Sequence, residues 1–144
     1  MPLLNVQYHE CHTQDQKRIL AKELTAIVTE SASIAEDRVQ IMFNLIKKED
    51  LCRNSVIESD KPLNLINGTD KEYAPWLLIQ IQMFEGRSLN QKRELVDRIT
   101  KAVSVHFNIN PDRVQIILNE MNRINNSTGG VLVADQHNHI TMQK

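Results

Sequence analysis

Glycine is scarce: the 144 residues contain four, and there is no GxGxxG or P-loop run. Phosphate-cradling loops built on flexible backbone are therefore excluded. Cysteine is scarcer still, and Cys11 and Cys52 are too few for a disulfide scaffold, which makes a reducing cytoplasm the expected location. Aromatic residues make up 4% of the chain. No apolar run approaches the ~20 residues of a membrane span. Excess charge is missing too, with 17 Lys and Arg against 18 Asp and Glu, so no global field recruits nucleic acid or an anionic membrane. The opening Met1-Pro2-Leu3-Leu4-Asn5-Val6-Gln7 has neither the basic start nor the long apolar core of a secretory signal.

What is present is a repeat. Displacing the chain by 75 positions lays residues 2–45 on 77–120, and 16 of those 44 pairs are identical. The matches cluster in Gln16-Lys17-Arg18 with Gln91-Lys92-Arg93, and in Asp37-Arg38-Val39-Gln40-Ile41 with Asp112-Arg113-Val114-Gln115-Ile116. The chain reads as a single domain, 1–144, made of two copies of one unit, 1–46 and 75–124. Residues 47–74, with Pro62 and Asn67-Gly68, read as a linker, and 125–144 as a turn, a short strand and a tail.

Each copy predicts strand, helix, strand. Leu3–Tyr8 and Leu78–Phe84 are short apolar runs bounded by polar residues. Thr13-x-x-Gln16 and Ser88-x-x-Gln91 both fit a capping box, so a helix starts twice. Leu20, Leu24, Ile27 and Val28 recur on one helical face, as do Leu95, Ile99, Ala102 and Val103. The second strands are expected at Val39–Phe43 and Val114–Leu118. Such units form parallel strand pairs with right-handed crossovers. Two joined edge to edge give an α+β fold: a four-stranded sheet with both helices on one face. Alternation sends Leu4, Val6, Tyr8, Val39, Ile41, Phe43, Ile79, Ile81, Met83, Val114, Ile116 and Leu118 under the helices. The other face mixes Asn5, Gln7, Gln40, Gln80, Gln82 and Gln115 with Leu3, Met42, Leu78 and Ile117, a composition expected to pack in an oligomer.

Two places carry candidate chemistry. If Met1 is removed, Pro2 becomes an amino-terminal secondary amine. A free α-amino group titrates near ~8, and an apolar pocket lowers that, so the nitrogen becomes a base poised near neutral pH. A retained Met1 leaves an amide nitrogen, which is not basic. The second place is Glu85-Gly86-Arg87-Ser88, where Arg87 precedes a helix cap and suits a substrate carboxylate. His9-x-x-His12 and His137-x-His139 do not complete a tetrahedral set with either cysteine, so no metal and no cofactor is expected.

Met1-Pro2-Leu3-Leu4, Thr13-x-x-Gln16-Lys17 and Glu85-Gly86-Arg87-Ser88-x-x-Gln91-Lys92, together with Asn119-Glu120-Met121 and Gly129-Gly130, resemble the tautomerase superfamily. The second copy resembles the small 4-oxalocrotonate tautomerase subunit. The whole chain is similar to fused two-unit members, including the malonate semialdehyde decarboxylase and cis-3-chloroacrylic acid dehalogenase branches. The resemblance implies a homotrimer, a cofactor-independent reaction on a small 2-oxo or unsaturated carboxylate, Pro2 as base or acid, and Arg87 on the carboxylate. Leu77 aligns with Pro2 in the second copy, and Pro75 lies inside the chain, so one active site per chain is implied.

The departures are specific. The second family arginine falls on Gln40 and Gln115. Arg38 and Arg113 lie two residues earlier, out of ideal register unless the loop redirects them. The aromatic before the paired glycines is Asn126, and His12 stands where the first copy would carry its arginine. Asp37 aligns with the decarboxylase aspartate and Glu120 with the water-activating carboxylate of the dehalogenase branch. These give two alternatives to an isomerase: a lyase (a 3-oxo acid decarboxylase or a hydratase/dehalogenase) using Pro2 with Asp37 or Glu120, and a non-catalytic trimer that binds a small anion or serves as a scaffold, retaining Met1.

Overall fold

The computed structural model describes residues 2–61 and 76–136. The first unit runs β1 (Leu3–Tyr8), α1 (Gln14–Ala32), β2 (Gln40–Leu45), and then a short hairpin of β3 (Cys52–Arg53) and β4 (Val56–Ile57). The second runs β5 (Leu77–Phe84), α2 (Leu89–His106), β6 (Val114–Met121), and a hairpin of β7 (Ser127–Thr128) and β8 (Val131–Leu132).

Both helices begin where a hydroxyl side chain can take the free N–H groups of the first turn. Thr13 Oγ1 accepts from Gln16 N while Gln16 Oε1 accepts from Thr13 N, and Ser88 and Gln91 repeat the exchange. The apolar faces Leu20/Leu24/Ile27/Val28 and Leu95/Ile99/Ala102/Val103 are buried on the sheet and against one another. Polar ties cross the helix pair at its edges: Arg98 reaches Glu30 at 2.6 Å, and the His106 ring meets the Glu23 carboxylate.

The sheet order is β2-β1-β5-β6. β1 and β2 are parallel, β5 and β6 are parallel, and β1 meets β5 antiparallel in the middle. Leu4 sits opposite Ile81 and Val6 opposite Ile79. These four, with Tyr8 and Met83, are buried, and Val39, Ile41, Phe43, Val114, Ile116 and Leu118 pack against them. The alternation expected from sequence is thus the one observed. On the opposite face Asn5, Gln7 and Gln80 are half-buried, Gln40, Gln82 and Gln115 are exposed, and Asn44 donates to Asn5 across the β1–β2 pair.

The strands outrun their sequence signal in three places. β2 starts at Gln40 and continues through Leu45 because Asn44 and Leu45 still pair with Gln7 and Tyr8. β5 begins one residue earlier, at Leu77, and β6 extends to Met121 beside Phe84.

Residues 47–61 differ more, since they were expected as linker and instead carry regular structure. A single 3-10 turn at Lys48–Asp50 leads into the β3–β4 hairpin, just as Arg123–Asn125 leads into β7–β8. Each hairpin element lies 75 positions from its counterpart. Asn54 and Ser55 (φ 54° and 65°) take the left-handed turn positions held by Gly129 and Gly130 (φ 62° and 80°). Only Val56/Val131 and Asp60/Asp135 are identical between residues 46–61 and 121–136. The duplication therefore persists in backbone after it has faded in sequence. Pro62, Asn67, Gly68 and Pro75 lie outside the described residues.

Candidate functional site

The antiparallel join of β1 and β5 decides which residues meet. It sets the start of one unit beside the strand–helix turn of the other. Leu3 is opposite Gln82, so Pro2 lies beside the end of β5, and Gln40 N donates to Pro2 O at 3.1 Å where β2 begins. Pro2 is buried and forms part of the wall of a cavity of about 460 Å³. Ser33, Ile34 and Ala35 after α1, Met83 and Phe84 at the end of β5, and Val133 and Gln136 beyond β8 complete much of the lining.

Three arginines enter this cavity, one from each neighbouring turn: Arg38, Arg87 and Arg123. Arg87 follows Gly86, whose φ of 116° turns the chain from β5 toward α2, a conformation that L side chains rarely adopt. Its Nε and Nη2 donate to Ala32 O at 3.3 and 3.1 Å. A guanidinium thus holds a carbonyl at the negative end of α1, which fixes Arg87 in place. Arg38 ends the single turn Glu36–Arg38 that precedes β2 and is exposed, with no ion-pair partner among the described residues. That turn is what redirects it, because strand alternation does not apply before Gln40. Arg123 opens the turn after β6, with Cζ 5.1 Å from the centre of the Phe84 ring. No carboxylate lines the cavity among the described residues, so the site is cationic and suited to an anion.

The other sequence candidates lie elsewhere. Asp37 is exposed on the Arg38 turn but is not in the cavity wall. Glu120 is ion-paired with Lys92. Asn126 closes the β7–β8 hairpin, its carbonyl accepting from Val133 N at 2.8 Å. His12 and Arg113 stand at the opposite end of the sheet, following β1 and preceding β6. The His12 ring stacks on Phe107 at 3.7 Å, and burial, then Lys17, holds its pKa below the usual histidine value. Among the described residues no three His, Cys, Asp or Glu side chains converge on a common point, and His137 and His139 lie outside them. Arg123 and Phe84 were not singled out from sequence. The available signal was that position 123 maps by the 75-residue offset onto Lys48, a cation in both copies.

At that opposite end charged and polar side chains pair within the chain. Glu58, 3% exposed, takes the place corresponding to Val133 and accepts from Arg53 Nε at 2.6 Å and Lys61 Nζ at 2.7 Å. The hydrogen bond from Arg53 leads in lowering its pKa to about 2, against the opposing effect of burial. His9, corresponding to Phe84, accepts the Trp76 N–H through Nε2 at 3.0 Å, and burial, followed by Arg53, lowers its pKa.

Comparison with known proteins agrees with the duplicated architecture. The Tautomerase family model, described as tautomerase enzyme, matches residues 2–56 and again 78–136. A probable tautomerase of Halalkalibacterium halodurans is 36% identical over 59 residues, 41% of this chain and 97% of its own length. One of Listeria innocua is 37% identical over 57 residues, 40% of this chain and 93% of its own. Among solved structures, a fused 4-OT wild type symmetric trimer superposes with a TM-score of 0.73 at 19% identity, covering 92% of this chain and 96% of that one. The protein Pt0534 inactivated by 2-oxo-3-pentynoate gives 0.75 at 16%, covering 93% and 98%. No helix among the described residues is long and apolar enough to cross a membrane.

Proposed function

From the premise that the chain belongs to the tautomerase family, enzymes of the isomerase class, we propose that it interconverts keto and enol forms of a small 2-oxo or unsaturated carboxylate without a cofactor, using Pro2. One observation carries this reading: Pro2 and three arginines line one cavity with no carboxylate among its described walls. With Met1 removed, the buried Pro2 nitrogen is a secondary amine beside three guanidiniums. Burial and neighbouring positive charge both favour its neutral form, which is the form that accepts a proton. The nitrogen takes a proton from the carbon next to the 2-oxo group, and the bonding pair moves into an enolate. Arg87, held by Ala32 O, binds the carboxylate and stabilises the developing oxyanion. Returning the proton to another atom of the conjugated system completes the isomerisation. The inactivation of Pt0534 by a 2-oxo acid supports the substrate class.

A lyase reading asks for Asp37 or Glu120 against the substrate, and neither side chain lines the cavity. Homotrimer formation through the amide-rich sheet face is part of the proposal. The fused 4-OT neighbour is a trimer by its description, and the mixed polar and apolar face suits burial in an assembly.

The test is exchange of the C3 protons of 2-oxopentanedioate in deuterated buffer, followed by proton NMR. Pro2→Ala and Arg87→Ala are each expected to slow exchange by about 100-fold or more. Exchange at the wild-type rate in Pro2→Ala would sink the mechanism.

A further inference from the structure

The two tautomers that the proposed reaction connects differ as hydrogen-bonding partners. A 2-oxo acid presents acceptors alone, on its carbonyl and its carboxylate. Its enol presents a hydroxyl, which donates. The charged lining of the Pro2 cavity is Arg38, Arg87 and Arg123, and a guanidinium has donors but no acceptor. With Met1 removed, the neutral Pro2 nitrogen has a lone pair, but that pair takes the migrating proton. The arginines therefore suit the keto form and leave an enol hydroxyl unmatched. An O–H taken out of water without an acceptor forfeits its hydration.

Two side chains in the described lining carry an oxygen able to accept, Ser33 and Gln136. Ser33 is exposed on the left-handed cap of α1 (φ 55°), where water competes for its hydroxyl. Gln136 is half-buried. Residues 133–136 form a helical turn after β8, so Val133 and Gln136, three apart, share the side that faces the cavity. That turn is tied to the β7–β8 hairpin twice: Val133 N donates to Asn126 O at 2.8 Å, and Gln136 Nε2 donates to Val131 O at 3.5 Å. A carbonyl oxygen only accepts, so the amide nitrogen is the atom turned to Val131. Gln136 Oε1 has no hydrogen-bond partner among the described residues.

We propose that Gln136 Oε1 accepts the hydrogen bond of the substrate's enol hydroxyl, so that a cavity walled by arginine donors holds the hydroxylated tautomer as well as the keto acid. This rests on the proposed function for the identity of the enol, but acceptance of a hydroxyl is a property of binding and is measurable without turnover.

The experiment is calorimetric titration of the full chain with each enantiomer of 2-hydroxypentanoate and, separately, with 2-oxopentanoate. The hydroxy acids keep the carbon count and the carboxylate and replace an acceptor by a donor. Both enantiomers are used because a planar enol oxygen lies between their two hydroxyl positions. Gln136→Met keeps an unbranched side chain of similar length and removes the acceptor. It is expected to weaken at least one hydroxy acid by about 3- to 10-fold, the value of one neutral hydrogen bond. Binding of 2-oxopentanoate should change by less than about 2-fold, which also shows that the variant has kept its fold. Ser33→Ala is the competing arm. Equal weakening of the hydroxy and oxo acids by Gln136→Met, no weakening of either enantiomer, or no binding of either class by the wild type would overturn the inference. So would a selective loss in Ser33→Ala in place of Gln136→Met. Selective loss of the hydroxy acid in a chain that does not exchange C3 protons upholds the role of Gln136 and removes the tautomerase mechanism instead.

Discussion

Replacing Glu58 with Gln tests whether this buried, doubly paired carboxylate stabilises the fold. The carboxylate is 3% exposed and bonded by two cations, and its pKa is lowered from 4.5 to about 2. That displacement corresponds to about 3 kcal/mol of preference for the charged form in the folded state. Arg53 and Lys61 retain 23% and 15% exposure, so water screens part of the interaction and about 2 kcal/mol is a fairer figure. The sign follows from linkage. A carboxyl whose folded pKa lies below its unfolded one contributes its full stability above about pH 4.5 and loses it as pH falls toward 2. Urea unfolding at fixed chain concentration should therefore show Glu58→Gln less stable by about 2 kcal/mol at pH 7, with the gap closing below about pH 4.5. A gap of the same size at pH 7 and pH 3, or none at pH 7, would refute the reasoning.

Two further perturbations probe other links. His9 accepts the Trp76 N–H and its pKa is lowered, so its protonation as pH falls below 6.5 opposes folding; His9→Gln, with an amide oxygen in reach, should flatten that part of a stability–pH profile measured by urea unfolding. Gly86→Ala places a Cβ in open space but forces φ 116° on an L residue, so a cost of about 1–3 kcal/mol is expected. C3 exchange should fall with it because the same turn carries Arg87; unchanged stability and exchange would show that the turn does not set the arginine.

Much of this fold was legible because its signals are local and doubled. The Thr13 and Ser88 boxes mark both helix starts, and alternation in Leu4–Tyr8 and Ile79–Met83 assigns the buried face without tertiary information. The hairpins were less legible. A β-turn with two left-handed residues accepts Gly129-Gly130 or Asn54-Ser55, so the backbone was kept while sequence identity drained away. Strand register also misplaced Arg38, which stands on a 3-10 turn where period-two alternation has no meaning. Arg123 lay beyond the region where the copies still resemble each other. It meets Phe84 because β6 runs beside β5 with Met121 opposite Phe84, and it shares a cavity with Pro2 through the antiparallel β1–β5 join, a contact no local pattern encodes.

Pro2 has the proposed chemistry only as the first residue of the mature chain. Intact-mass spectrometry of the purified full chain measures that directly. The account requires a mass short of the full sequence by one methionine residue, which leaves a secondary amine in the arginine-lined cavity. A mass that retains Met1 would contradict it, since an amide nitrogen cannot take the proton.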